Sequence, residues 1–170
     1  MGYVNDTAMS RFISPFECVH TPVATWTPTI AANLVTDVRT AANAAFTVII
    51  PILLPSNSEY RKGAYLKSVD VFYIIATEAM DAVAALAIDK LTLAADGTAV
   101  AGATVAVTPD AGHDTGAERL DIEDHTMTVT LTTPVWSDDG DAFYGSLVCD
   151  GGANGVFSLV GARANYTLRV

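Results

Sequence analysis

The chain is short of basic residues. It holds nine Lys and Arg against 19 Asp and Glu, a formal net charge of −10 at pH 7. Nucleic-acid affinity comes from neutralising phosphates, so this balance argues against such a partner. It disfavours anionic membrane surfaces for the same reason. So few cations also leave little material for Glu–Lys ladders on long amphipathic helices. Only two cysteines occur, Cys18 and Cys149. Neither lies in a CxxC or zinc-ligand pattern, and the expected state of both is a free, buried, Val-like thiol. The most apolar run, 41–54, is too short to span a bilayer and carries Pro51. A basic, apolar secretory leader pattern is absent from the first residues, and Asp6 breaks the myristoylation pattern. No G-x-S-x-G, H-E-x-x-H, P-loop or G-x-G-x-x-G occurs. No enzyme activity and no cofactor are expected.

What is abundant is small and β-branched. Ala, Thr and Val make up 65 of the 170 residues, and hydrophobic residues 51%. Thr and Val suit pleated, half-buried surfaces. Such hydrophobicity with 16% charged residues excludes a disordered tail.

Residues 1–44 show no sustained period and hold Pro15, Pro22 and Pro28. They are expected to form an extended N-terminal arm, with a short helical turn near Ile30–Asn33. From residue 45 strand patterns begin. Phe46 to Leu54 reads as a buried strand with Pro51 at a bulge or edge. Leu66 to Ile75 follows, with Val69, Val71, Tyr73 and Ile75 on one face. Ala79 to Leu93 fits a strand bulged at Asp89-Lys90, before a hairpin turn at Asp96-Gly97. Thr104 to Thr108 is a short strand ended by Pro109. Thr126 to Thr132 alternates most cleanly, with Met127, Val129 and Leu131 facing the core and Thr133-Pro134 stopping it. Phe143 to Cys149 and Val156 to Val170, broken at Gly161, complete the set. About eight strands joined by polar turns imply an all-β, two-sheet antiparallel sandwich over 45–170. The long connection 109–124 suggests strands crossing between sheets, as in a jelly roll.

Candidate sites are few. Asp138, Asp139 and Asp141 form an acidic turn that could supply oxygens to Ca²⁺, without the full EF-hand pattern. His113, Asp114, Glu118 and His125 could be assembled as a metal site, but their spacing matches no ligand motif and solvated loop residues are the expectation. Residues 108–141 hold nine acids and one base, Arg119. This reads as a solvated face or as one acidic end of the sandwich. Trp26, Trp136, Tyr60, Tyr65 and Tyr144 could stack on sugar rings, though core or interface packing is the commoner use.

Two stretches carry a resemblance: Asp124 to Trp136 (DHTMTVTLTTPVW) and Gly161 to Val170 (GARANYTLRV). With the acidic, Ala/Thr/Val-rich composition they resemble small β-sandwich or jelly-roll structural proteins of tailed bacteriophage virions. The resemblance implies a sandwich or jelly-roll domain, homo-oligomerisation and a place on the capsid or tail; the leading expectation is a non-enzymatic virion protein, most specifically a capsid decoration (cement) subunit. The partners expected on that reading are its own copies, as a homotrimer, and the major capsid protein. The alternative is a receptor-binding or tail-fibre head, or a carbohydrate-binding module.

Overall fold

The computed structural model describes residues 6–21, 26–55, 57–58, 61–94 and 100–169. In chain order the elements are β1 (Asp6–Ile13), a 3-10 turn at Pro15–Glu17, β2 (Val19–Thr21), β3 (Trp26–Ala31) and β4 (Leu34–Arg39). Then come β5 (Ala44–Ile52), β6 (Asn57–Ser58), β7 (Arg61–Lys62), β8 (Ala64–Ala76) and β9 (Ala82–Val83). The chain ends with β10 (Ala87–Leu93), β11 (Val100–Val105), β12 (Val107–Pro109), β13 (Asp124–Ser137), β14 (Asp141–Gly151) and β15 (Val156–Arg169). No α-helix occurs among the described residues.

Two antiparallel sheets face each other. The first runs β12-β13-β8-β15-β4-β3, with β1 also on β15; the second runs β11-β10-β14-β5-β2, with β9 on β14. Take β4, β5, β8, β10, β11, β13, β14 and β15 as strands one to eight. The first sheet then reads one-eight-three-six and the second two-seven-four-five. That is the strand order of a jelly roll, a sandwich of two Greek keys.

The alternation read from the sequence sets the core. Val69, Val71, Tyr73, Ile75, Met127, Val129 and Leu131 are all buried. From the second sheet come Phe46, Val48, Ile50, Ile52, Phe143, Leu147 and Cys149. The rings of Trp26, Phe46 and Phe157 meet edge to face at 5.3–6.2 Å. Cys18 and Cys149 are free and buried.

The structure departs from the sequence reading in several places. Residues 6–21 and 26–39, read as an arm outside the 45–170 domain, are strands of the sandwich itself. β1 pairs with β15 over eight residues, β2 with β5, and β4 with both β15 and β3. β4 is the first of the eight jelly-roll strands, and Ile13 is 1% exposed. Three prolines masked this pairing because Pro28 lies on the edge strand β3, where a missing N–H is tolerated. The expected helical turn at 30–33 is a hairpin turn, with Ala32 and Asn33 at φ 49° and 68°. β13 runs through Pro134 to Ser137, because a register shift between Thr130 and Val135 absorbs the proline. β10 is regular at Asp89-Lys90, and the break falls earlier, between β9 and β10. The sheet crossing comes at Ala106, between β11 and β12, while 110–123 links two strands of one sheet. The Asp96-Gly97 turn lies outside the described residues.

One glycine has a strict reason. Gly161 sits at a bulge of β15 with φ 140°, and a Cβ there would lie 2.6 Å from the Ile13 carbonyl oxygen. Only glycine lets β1 close onto β15 at that point.

Candidate functional site

The acidic turn is built for hairpin closure. Asp141 accepts from Lys90 Nζ at 2.7 Å, Thr92 Oγ1 at 2.7 Å and the Asp138 N–H at 2.8 Å. Burial works to raise this carboxyl, but the hydrogen bonds and the Lys90 charge hold it below its ordinary value. Asp138 Oδ1 accepts from the Asp139 N–H at 2.9 Å. The oxygens offered to Ca²⁺ in the sequence reading are thus engaged by protein donors at Asp141 and Asp138. Among the described residues, no group of three or more His, Cys, Asp or Glu side chains is placed to hold a metal ion.

His113 and His125 are brought together, and they are not solvated. His125 is 3% exposed and stacks on Tyr73 at 4.5 Å. Asp110 Oδ1 lies 2.9 Å from His113 Nδ1, His113 Nε2 lies 3.3 Å from His125 Nδ1, and His125 Nε2 lies 3.0 Å from the Asp121 carbonyl. Both outer contacts are with acceptors, so both outer ring nitrogens donate. Asp110 also accepts from the Thr128 and Gly112 N–H groups. Burial pushes its carboxyl up, and these hydrogen bonds with that of His113 bring it below its ordinary value. Arg119, the one base in this acidic stretch, donates to the Val83 and His113 carbonyls, while Tyr73 Oη donates to the Arg119 carbonyl. Glu118 instead accepts from the Thr115 N–H on the loop surface. The assembly docks the 110–123 connection onto the sandwich.

Across the same end of the sheet, beyond Tyr73 and Phe157, His20 stacks on Trp26 at 3.8 Å and lies 3.5 Å from Asp37. Burial lowers the His20 pKa, with Asp37 opposing. Burial also pushes the Cys18 and Cys149 thiols up to about 12, away from nucleophilic use.

Of the aromatics, Trp26 is partly buried and packs against the core, and Trp136 packs on Tyr65 at 4.6 Å. Tyr60 lies outside the described residues. Tyr144 is 37% exposed on the outer face of the second sheet. That face is the most distinctive surface of the described molecule. Alternation along its five long-path strands points Val19, Ile49, Pro51, Tyr144, Val148, Leu91, Leu93 and Val100 outward. Val19, Val148, Leu93 and Val100 are each 50–63% exposed. Outward charges on these strands are limited to Asp89 and Asp150. Asp89 accepts from Thr104 Oγ1 at 2.8 Å. A trough of about 490 Å³ crosses the face, lined by Leu91, Gly102, Thr104, Tyr144, Ser146 and Asp89 among others. The sequence reading took β5 as a buried strand, placed Val19 in the arm and singled out only Tyr144 on this face. The available signal was that β5 and β14 are apolar at odd and even positions alike.

No family model matches the chain, and no curated protein matches it. Solved structures do include chains of similar architecture. One comes from a study described as the "structural basis for the promiscuous specificity of the carbohydrate-binding modules from the beta-sandwich super family". It shares 11% identity at a TM-score of 0.40, over 96% of this chain and 56% of that one. The present chain thus spans little more than half the length of that neighbour.

Proposed function

We propose that the chain is a non-enzymatic structural subunit of a virion, specifically a capsid decoration protein. In this reading it acts by burying the outer face of its second sheet against its own copies and the capsid surface. The observation that carries this is the charge distribution. A chain of net charge −10 keeps one broad sheet face almost free of charge and studded with exposed Val, Leu and Tyr. Large exposed apolar patches mark interaction surfaces. Five strands at about 4.8 Å spacing and about 25 Å of length give roughly 600 Å² in projection. That approaches the roughly 800 Å² per partner of a standard interface. Surface carboxylates elsewhere repel between copies, but beyond about 8 Å they are screened at physiological salt. Raising salt therefore strengthens assembly. The jelly roll suits the role without dictating it, since it hosts capsid and lectin domains alike.

The test is co-sedimentation with capsids, together with sedimentation velocity at low and high salt. Val148→Lys places a charge at a half-exposed position on the face. It is expected to abolish capsid association while the protein stays folded. Unchanged association, or association that salt dissolves, overturns the reading.

The trough favours a second reading, a saccharide-binding module. Tyr144 offers a ring face beside Asp89, Thr104 and Ser146, the mix of stacking and hydrogen-bonding groups a sugar needs. Glycan-array binding that Tyr144→Ala removes would favour this alternative.

A further inference from the structure

We propose that β11 is a pairing edge, to which a second copy of the chain adds its own β11 antiparallel. The inference deepens the assembly reading above and rests on it. It begins from a comparison of the strand edges. An unpaired edge is a template for another chain, and proteins blunt it with proline, charge or shortness. β12 is three residues long and ends in Pro109, and β3 carries Pro28. β2 has three residues and β9 two. β1 carries Asp6 and Arg11, which pair with Arg169 and Glu17. β11 has none of these protections. Its six residues, Val-Ala-Gly-Ala-Thr-Val, include no charge and no proline, and the first five are exposed. Among the described residues it pairs on one side only, with β10.

The sequence of β11 suits a second copy. Ala101, Gly102 and Ala103 present no bulk against a close backbone approach, and Val and Thr favour the extended state. The carboxylate on the neighbouring strand, Asp89, is already tied to Thr104. Two chains of charge −10 can therefore meet here without setting like charges opposite each other. Antiparallel β11–β11 pairing is two-fold and self-complementary, so one contact covers both unprotected edges and closes. The second sheets become one sheet through both copies. The outward row Leu91, Leu93 and Val100 then continues across the joint, doubling the apolar face. A closed trimer, the expectation from the sequence, cannot be built on β11–β11 pairing, which is two-fold.

The experiment uses the full chain at micromolar concentration, with sedimentation equilibrium and amide hydrogen exchange. Wild type is expected to be dimeric, with all of 100–105 slow to exchange. A free edge would exchange at alternate residues. Ala101→Lys/Ala103→Lys sets like charges against each other across the two-fold. It is expected to sediment as a monomer, with a circular-dichroism spectrum unchanged and a Tm within a few degrees of wild type. Should the double variant misfold, the single change Val100→Glu, at a position 63% exposed, serves in its place. A wild-type monomer, a wild-type trimer, or a charged variant that stays dimeric overturns the proposal. Val148→Lys separates this inference from the function it rests on. A dimer that no longer decorates keeps both, and a wild-type dimer that never decorates removes only the virion reading.

Discussion

The two outer faces of the sandwich solve the same problem in opposite ways. Each is the solvent side of a strand set whose inner side is core. On the first sheet the central outward residues form a polar ladder beside Phe72 and Ile74, and exposed Met9, Phe12, Ile30 and Leu34 lie on its strands β1, β3 and β4. Thr128, Asp70 and Arg163 stand in register on β13, β8 and β15. Asp70, 3% exposed, accepts from Thr128 Oγ1, Arg163 Nε, Arg163 Nη2 and Asn165 Nδ2 at 2.7–3.0 Å. On the second sheet the same positions carry Val148, Tyr144, Leu91 and Leu93, with nothing to satisfy and nothing to cover them within the described chain. A face that completes its own hydrogen bonds is finished as a monomer surface. A face that leaves apolar area in water is finished only by something else.

The largest expected effect lies between the faces, in the core both share. Val129→Asp puts an unpaired charge at a fully buried site and should cost several kcal/mol, abolishing folding. A cooperative urea transition in that variant would sink the core assignment. Next is Asp70→Ala, which breaks the polar ladder. Arg163 is about half exposed and can rehydrate, so a loss of about 2 kcal/mol is expected, below that of a fully buried pair. The urea midpoint measures it, and assembly should be unaffected. A smaller and pH-dependent effect belongs to Asp110→Asn. The folded-state pKa of Asp110 lies below 3.8, so its contribution is present in full above that value and fades as pH falls through the folded pKa. The variant should be less stable at pH 7 and should show a flatter loss below about pH 4. Parallel loss in the two proteins would show that Asp110 does not carry the effect. Val148→Lys closes the series, with a stability change within about 0.5 kcal/mol despite its expected effect on assembly.

The sandwich was legible because its long strands alternate against threonine. Met127, Val129 and Leu131 needed only the period of two to be placed inside. The N-terminal strands were not legible. β1 carries no clear alternation, and its place is set by a glycine 148 residues away, Gly161. The His113–His125 contact was equally hidden. The two rings lie on a loop and on a strand, and only tertiary folding brings them to 3.3 Å. The acidic turn was found, but its role was not. Lys90, on a strand distant in sequence, claims the carboxylate of Asp141. The apolar outer face escaped because continuous apolar strands such as β5 read as buried on both sides.

The sheet change at Ala106 has a mechanical side. β11 belongs to one layer and β12 to the other, with a single residue between them. The crossing is pinned, since the Thr132 N–H donates to the Ala106 carbonyl at 2.9 Å. A pull on β11 along its length therefore passes within one residue into the hydrogen bonds of β12 and β13. It loads them in shear, many at once, instead of unzipping the edge strand bond by bond. Such a load would strain both layers together, and no single strand would peel away first.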